Sequence, residues 1–450
     1  MRLKRIHILL SAFALIAMAA VSCVPDWTEE MTPGISVSHT QDRVDADREV
    51  NEDMRRVLLL YSAGCNSIST YLKEDIEDLC QGWLPSDRRP ENVLLVYSHL
   101  PKSRGQYNTP SRPVLFRLYS DKEGNPVRDT LAVYDAGTIS SSAAQFNKVL
   151  TYVKEEFPAK GYGLIFSSHA TGYLPSGFYT QPDSYVFDDT YQRSLGIGKR
   201  QIPVPVPYIE PEQDPDLPAV KSVGQDVSGS VSYEMDLKEF AQAIPMKLDY
   251  LLFDACLMGG IEVAYELEGK CKLLGFSQAE VLAEGFNYKT LTDHLLSNGK
   301  DPDPYSVCED YFIQYNILSG TNRSATISLV DCDKLEPVAE VCTELFDRYY
   351  DEIQRLPYKN VQRYYRSSKH WFYDLESILS NAGMTEEESQ RLQDALDGCI
   401  MYKGATPSFL GEFTIKTFSG FSMYLPSHGR QQLDKYYKTL RWNKITGLVK

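Results

Sequence analysis

Two cysteines and two histidines each follow a short apolar run, and these residue types are the components of a thiol–imidazole catalyst. Cys65 follows VLLLYSAG, His99 follows VLLVYS, His169 follows LIFSS and Cys256 follows LLFDA. A free thiol has a pKa of about 8.5, so it is mostly protonated at neutral pH unless a nearby imidazole takes its proton or stabilises the thiolate. The thiolate then attacks a carbonyl carbon, the imidazole protonates the leaving amine, and water releases the acyl group.

The sequence around the two cysteines gives Cys256 a small advantage as the nucleophile. The segment after it, LMGG, leads into IEVAYELEG, a plausible helix start, so the thiol would lie near the positive end of a helix dipole. Cys65 has a comparable setting, because Asn66 and Ser67 resemble a cap for the next helix. Local chemistry therefore favours Cys256 over Cys65 only slightly.

The difference between the two histidines is larger. His169 leads into Ala170, Thr171 and Gly172, small residues that allow close backbone approach and offer N–H groups to an oxyanion. His99 runs into a proline, which has no N–H to donate. The candidate dyad is therefore His169 with Cys256. The alternative is a buried cysteine and a hydrogen-bonded histidine without a catalytic role.

An α/β sheet is needed to bring these residues together. Continuous apolar runs of this length are typical of strands buried on both faces of a parallel sheet, and helix-like segments separate them. The carboxyl ends of such strands share one edge of the sheet, where open α/β folds bind ligands. The predicted strands are 56–62, 92–98, 162–168 and 249–255, and the predicted helices include 69–83 and 142–157.

The rest of the chain divides into an insertion and a C-terminal extension. Residues 180–230 are rich in Pro, Gly, Asp and Gln, and PVPVPYIEPEQDPDLP predicts a long loop with no regular structure. The segment MDLKEFAQAI predicts a helix. We therefore expect a catalytic domain over residues 54–300 with an insertion at 180–230. Residues 301–450 are expected to pack on it as an extension, helical around DEIQRLPYKNVQRYYRSSKHWFYDLESIL and strand-like over 411–426.

The N-terminus predicts export. Basic residues precede the apolar run ILLSAFALIAMAAV, which is too short to span a membrane, and AVSC ending at Cys23 resembles a bacterial lipobox. We expect residues 1–22 to be a lipoprotein signal peptide and 23–53 to be a flexible tether. Lipidated Cys23 would be the only membrane contact, anchoring the chain to the periplasmic or outer face of a bacterial outer membrane. An ordinary signal peptide cleaved nearby is the alternative.

Composition limits the partners and cofactors. The 450 residues carry a formal net charge of −15, which argues against nucleic acid as a partner. The nine cysteines have irregular spacings, so disulfides are permitted but buried free thiols are expected for most of them. There is no CxxC, HxxxH or EF-hand pattern, and we expect no metal and no cofactor. The oligomeric state is left open.

Two segments resemble a known family. FSSHATGYLPSG and DYLLFDACLMGGIEVAYELEG closely resemble the clostripain-type cysteine peptidases, relatives of the gingipains, legumains and caspases. VLLLYSAGCNSISTYL, EEFPAKGYGLIFSSH, GFSQAEVLAEGFNY and SGFSMYLP also fall in the order of that family. The resemblance spans roughly residues 54–430.

The resemblance implies a caspase-like sheet, mostly parallel and flanked by helices, with His169 and Cys256 as the catalytic dyad. It implies a peptide or protein substrate and endopeptidase cleavage, commonly after Arg or Lys. The backbone N–H groups of Cys256 and of the residue after the histidine would form the oxyanion hole. That residue is usually glycine in the family and is Ala170 here, so the hole is altered or is formed through Gly172 instead. A catalytically silent relative that binds peptides is therefore the second functional expectation.

A basic side chain at the cleavage site requires a carboxylate in its pocket, because a buried cation without a partner is costly. Asp254 is nearest to the nucleophile in sequence, and Glu280 and Glu284 lie in the segment that resembles the pocket wall of the family. The alternatives are a structural role for Asp254 and solvated positions for the two glutamates.

The family also includes zymogens that are cut between the histidine and cysteine strands. Lys199, Arg200 and Lys221 lie in the insertion and are the possible processing sites. The alternative is that these basic side chains are merely solvated.

Overall fold

Five parallel strands form the middle of a nine-stranded sheet, and antiparallel strands extend it on both sides. The computed structural model describes residues 55–86, 91–103, 109–188, 205–207, 217–218, 226–228, 230–297, 300–366 and 370–450. Within these residues the strands are β1 (Arg56–Ala63), β2 (Asn92–His99), β3 (Val114–Ser120), β4 (Pro126–Val133), β5 (Gly161–Ser167), β6 (Val206–Pro207), β7 (Asp226–Ser228), β8 (Val231–Tyr233), β9 (Leu248–Asp254), β10 (Cys271–Phe276), β11 (Thr326–Asp331), β12 (Tyr373–Asp374), β13 (Ile400–Ala405), β14 (Ser408–Phe409), β15 (Phe413–Thr414) and β16 (Ser422–Met423).

The strand order in the large sheet is β13-β11-β10-β9-β5-β1-β2-β3-β4. The pairs from β10 through β9, β5 and β1 to β2 are parallel, whereas β11, β13, β3 and β4 join antiparallel. This is the mixed α/β fold expected from the sequence, with a parallel centre. Two of the nine strands, β11 and β13, come from beyond residue 300.

The four predicted strands are confirmed, and they are almost entirely buried. β1, β5 and β9 are neighbours in the sheet, and nearly every residue in them is buried. Aromatic rings pack over them: the rings of Tyr61 and Tyr97 stack at 4.3 Å, and Phe146 meets Tyr61 edge-on at 4.9 Å. Burial on both faces explains why these runs are apolar at every position instead of at alternate positions.

The helices flank this sheet. They are α1 (Ser69–Gln81), α2 (Ala143–Glu156), α3 (Leu237–Ala243), α4 (Ile261–Leu267), α5 (Tyr288–Leu296), α6 (Pro304–Asn316), α7 (Glu336–Arg348), α8 (Tyr350–Ile353), α9 (Leu375–Ala382), α10 (Glu386–Cys399), α11 (Gln431–Tyr437) and α12 (Arg441–Thr446). The helix predicted from MDLKEFAQAI is α3, which begins with a capping box formed by Asp236 and Glu239.

Two sequence predictions about regular structure were wrong. Val206 and Pro207, inside the proline-rich run predicted to be irregular, form the short strand β6, which pairs with β8. Proline is tolerated there because β6 is at the edge of its three-stranded sheet. Among its described residues, the tyrosine-rich segment predicted to be helical contains before α9 only the single turn α8 and a 3-10 turn at Tyr358–Asn360. Between α8 and α9, Tyr364 N–H donates to Phe372 O at 2.9 Å and Asp374 N–H to Gln362 O at 2.9 Å, as in a hairpin.

Eight cysteines lie in the part of the chain that the structure describes, and all of them are free thiols. No helix among the described residues is long and apolar enough to cross a bilayer.

Candidate active site

His169 and Cys256 lie at equivalent positions on neighbouring strands. In the parallel pairing of β5 with β9, Ser167 is opposite Asp254. His169 comes two residues after Ser167, and Cys256 comes two residues after Asp254. The register therefore brings the backbone of both candidate catalytic residues to the same edge of the sheet.

The loops that follow the two strands touch through their backbones. Gly172 has φ +60°, and a Cβ atom placed on it would lie only 2.4 Å from the carbonyl oxygen of Leu257. Glycine alone allows this approach, because any other side chain would collide with that oxygen and would strain the positive φ. Gly172 therefore lets the histidine loop pack against the cysteine loop.

Cys256 begins a loop that runs beside residues 277–281. Leu257 N–H donates to Ala279 O at 2.9 Å, and Gly259 N–H donates to Ser277 O at 2.7 Å. Val281 N–H donates to the Cys256 Sγ at 3.1 Å. The same sulfur lies 3.8 Å from Val281 O, so the Val281 backbone fixes its position. Helix α4 begins five residues later, at Ile261.

The backbone directly after Cys256 is strained. Among the described non-glycine residues, only Leu257 and Leu410 have a positive φ, and that of Leu257 is 62°. Such conformations cost free energy and are concentrated at functional sites. Ala170 has no positive φ, so alanine fits the backbone after the histidine without strain.

The imidazole of His169 contacts Ser67, a residue that the sequence had suggested only as a helix cap. The Ser67 Oγ lies 3.2 Å from His169 Nε2. Ser67 belongs to the connection between β1 and α1, and β1 neighbours β5 in the sheet. A cleft of about 60 Å³ lies beside the histidine, and it is lined by Ser168, Ala170, Gly172, Glu234, Phe240, Met258 and neighbouring side chains.

The three predicted pocket carboxylates have different surroundings. Asp254 is fully buried, and its Oδ2 accepts hydrogen bonds from Ser167 Oγ at 2.9 Å and Tyr288 OH at 2.7 Å. Glu284 is exposed. Glu280 is 5% exposed and carries a two-pronged ion pair with Arg366.

The pair of Glu280 and Arg366 was not found from the sequence, because the two residues are 86 positions apart. Arg366 Nε and Nη2 each contact one Glu280 oxygen, with Nη2 to Oε1 at 3.0 Å. Burial acts to lower the pKa of Arg366, but the hydrogen bonds and charge of Glu280 raise it above its ordinary value. The guanidinium is therefore charged at any physiological pH.

Cys65 and His99 form a separate buried cluster. His99 Nδ1 lies 2.7 Å from Ser140 Oγ and 3.7 Å from Asp226 Oδ1, a residue at the end of the insertion. Burial raises the pKa of the Cys65 thiol, and the charge of Asp226 raises it further. Cys65 is therefore protonated at neutral pH and is a poor nucleophile. The predicted lipidation site Cys23 and the predicted processing residues Lys199, Arg200 and Lys221 lie outside the described residues.

The sequence model of the clostripain family matches residues 60–199 and 210–446, which is most of the chain. The chain belongs to the clostripain family. It is thus a cysteine-type peptidase by family, with a peptide or protein substrate. No curated protein matches the chain closely enough to count as a relative.

Solved structures of this family share the fold. An inactive zymogen C11 protease from Parabacteroides distasonis is 24% identical, with a TM-score of 0.67, over 88% of this chain and 99% of that one. A secreted C11 cysteine protease from Bacteroides thetaiotaomicron, in complex with an irreversible peptide inhibitor, is 23% identical, with a TM-score of 0.64, over 87% of this chain and 98% of that one.

Proposed function

We propose that the chain is a cysteine endopeptidase in which Cys256 is the nucleophile and His169 is the general base and acid. The observation that carries this proposal is the matched register of β5 and β9, supported by the contact between Gly172 and Leu257 O. In this proposal, the contact between the two loops positions the thiol and the imidazole so that both can act on one peptide bond.

The reaction follows from the groups around the sulfur. His169 takes the thiol proton, and the Val281 N–H stabilises the resulting thiolate. Attack on the scissile carbonyl gives an oxyanion, for which the backbone N–H groups of Cys256 and Ala170 are the proposed donors, with Gly172 as the alternative to Ala170. His169 protonates the leaving amine, and water activated by the same imidazole hydrolyses the thioester.

We propose cleavage after Arg or Lys, with Glu280 as the carboxylate that binds the basic side chain. Glu280 is buried and presents both oxygens to a guanidinium, the geometry that arginine recognition uses. Asp254 is a weaker candidate because Ser167 and Tyr288 already hold its Oδ2. Glu284 is exposed, and solvent screening weakens its attraction for a cation.

Export and self-processing complete the proposal. We propose that residues 1–22 are removed, that Cys23 is lipidated at the outer membrane, and that the insertion is cut at Lys199, Arg200 or Lys221. The B. thetaiotaomicron neighbour is described as secreted and the P. distasonis neighbour as a zymogen, which supports both ideas. The intact mass of the chain purified from membranes tests the lipid, since an unmodified Cys23 contradicts lipidation.

Peptide turnover tests the dyad. The purified protein is incubated with fluorogenic peptides that end in Arg, Lys, Ala or Asp, alongside Cys256→Ala and His169→Ala. We expect turnover after Arg and Lys, and a loss of about 10³-fold or more in kcat/KM in both variants. Cys65→Ala is the matched control, because it removes a buried cysteine at the same sheet edge and should retain activity. A chain cut in the wild type but intact in Cys256→Ala indicates self-processing; an uncut, fully active wild type contradicts it.

The second candidate function is peptide binding without catalysis. It is favoured by the burial of Cys256, whose exposed fraction is 0%, and by Ala170 in place of the glycine usual in the family. Peptides that bind but are never cut, while Cys256 still reacts with a thiol reagent, would establish this function and exclude the peptidase.

A further inference from the structure

We propose that Arg366 is an internal occupant of the cation-binding subsite, so that the folded chain inhibits itself until a substrate side chain displaces this arginine. This inference rests on the proposed function, because it concerns the regulation of the same site.

Arg366 occupies the position that a basic substrate side chain would need. Its Nε and Nη2 engage both oxygens of Glu280, which is 5% exposed. Glu280 directly precedes Val281, whose N–H donates to the Cys256 sulfur at 3.1 Å. The guanidinium is therefore bound one residue away from the backbone group that contacts the candidate nucleophile.

The sulfur itself is buried. Cys256 is 0% exposed, yet a peptide carbonyl must come within about 3–3.5 Å of a nucleophile to react. The ring of Tyr179 packs edge-on against Trp371 at 6.0 Å. Trp371 lies on the returning arm of the hairpin that carries Arg366. In this proposal, the hairpin that binds the acid is also what keeps the thiol buried.

We call this unit the Arg366 hairpin and define it by its described arms, residues 361–366 and 370–374. Besides the two backbone hydrogen bonds between the arms, Tyr364 OH donates to Asp374 Oδ2 at 2.8 Å. Strand β12 of the second arm pairs with β16. The Ser422 N–H of β16 donates to Gly259 O in the cysteine loop at 2.8 Å. The hairpin is thus fixed to the loop that carries the candidate nucleophile.

A tethered competitor of this kind lowers the apparent affinity for substrate. Because Arg366 and Glu280 belong to one chain, the effective concentration of Arg366 at Glu280 is on the order of millimolar or higher. The arginine side chain of a substrate must compete with that concentration. The apparent affinity falls by the fraction of molecules in which Glu280 is vacant. A purely structural ion pair predicts the opposite effect on removal of Arg366, since a buried carboxylate would lose its partner and the pocket would deform.

Steady-state kinetics separate the two explanations. In Arg366→Gln we expect KM for peptides ending in Arg to fall about tenfold or more, with kcat within about twofold of wild type. Arg363→Gln is the matched control, because Arg363 lies on the same arm but donates to Glu412 O and stacks over Tyr365. It should behave as the wild type. A folded Arg366→Gln with an unchanged or higher KM overturns the proposal.

Two binding measurements test the inference without turnover. Argininamide should raise the melting temperature of Arg366→Gln but not that of the wild type or Arg363→Gln. Alkylation of Cys256 by iodoacetamide, measured by mass spectrometry, should be at least about tenfold faster in Arg366→Gln than in the wild type. If no protein cuts any peptide but both results appear, the proposed function fails and the internal occupant stands. If the wild type cuts peptides and neither result appears, the proposed function stands and the internal occupant is rejected.

A double variant guards against misfolding. Arg366→Gln leaves Glu280 buried without its partner, whereas Glu280→Gln with Arg366→Gln replaces the ion pair by two neutral amides. We expect the double variant to show fast alkylation of Cys256 and no response to argininamide. Alkylation as slow as in the wild type, in a double variant that melts cooperatively, overturns the proposal.

Discussion

Leu257 adopts a backbone conformation that leucine disfavours, and it does so directly after the candidate nucleophile. The strain is held in place by the hydrogen bonds from Leu257 N–H and Gly259 N–H to residues 279 and 277. A cost of about 1–3 kcal/mol is typical for such a residue, and surrounding contacts must offset it. The conformation lets the chain turn while the Cys256 sulfur faces the N–H of Val281.

Ser67 is expected to position the imidazole. Removal of the hydroxyl in Ser67→Ala should lower kcat/KM about tenfold and shift the acid limb of the pH–rate profile, because His169 loses a partner at Nε2. Ser67→Thr keeps a hydroxyl at the same atom and should restore most of the activity. The measurement is the pH dependence of kcat/KM for an arginine-ended peptide. An alanine variant with an unchanged profile would show that the contact is incidental.

At the scale of secondary structure, the parallel pairing of β5 with β9 sets the distance between the catalytic loops, and the close approach of Gly172 to Leu257 O fixes their relative orientation. The buried Asp254 adds a third link, since it accepts a hydrogen bond from Ser167 at the end of the neighbouring strand. The site is therefore a property of two strand ends.

Gly172→Ala should damage both stability and activity. The added methyl group would meet Leu257 O at 2.4 Å, and alanine disfavours φ +60°. We expect the free energy of unfolding to fall by about 1–3 kcal/mol, and we expect kcat/KM to fall by a larger fraction than the free energy of unfolding does. Gly137→Ala is the control, because nothing lies within 4 Å of its Cβ position. Thermal melting and peptide turnover check this, and equal behaviour of the two variants would contradict the packing role of Gly172.

The sequence revealed the elements whose signals are local. The runs that became β1, β2, β5 and β9 are apolar throughout because both faces are buried, so they could be predicted along with the residues at their ends. Arg366 could not be found, because its partner is 86 positions away and no periodicity records such a contact. The hairpin around it was predicted as helix because tyrosine and charged residues there also fit a helical pattern, and long-range pairing with β16 decides otherwise.

At the scale of the whole molecule, C-terminal residues contact α4, the helix that follows the cysteine loop. Glu262 on α4 is fully buried, and its Oε1 accepts hydrogen bonds from Tyr424 N–H at 2.9 Å and Tyr437 OH at 2.7 Å. Glu262 thereby contacts two residues that lie more than 160 positions further along the chain. Burial raises the pKa of Glu262 to about 7, although these two hydrogen bonds act to lower it.

This buried acid makes stability depend on pH. Its pKa is about 7 in the folded chain against an ordinary value of 4.5, so the folded state holds the proton over that interval while the unfolded state releases it. The free energy of unfolding should therefore fall as pH rises from 4.5 to 7, by about 3 kcal/mol in total. Glu262→Gln keeps an oxygen for both donors and cannot ionise. In urea unfolding, the free energy of unfolding of Glu262→Gln relative to that of the wild type should therefore rise by about that amount between pH 4.5 and pH 8. A difference between Glu262→Gln and wild type that stays constant over this pH range would contradict the prediction.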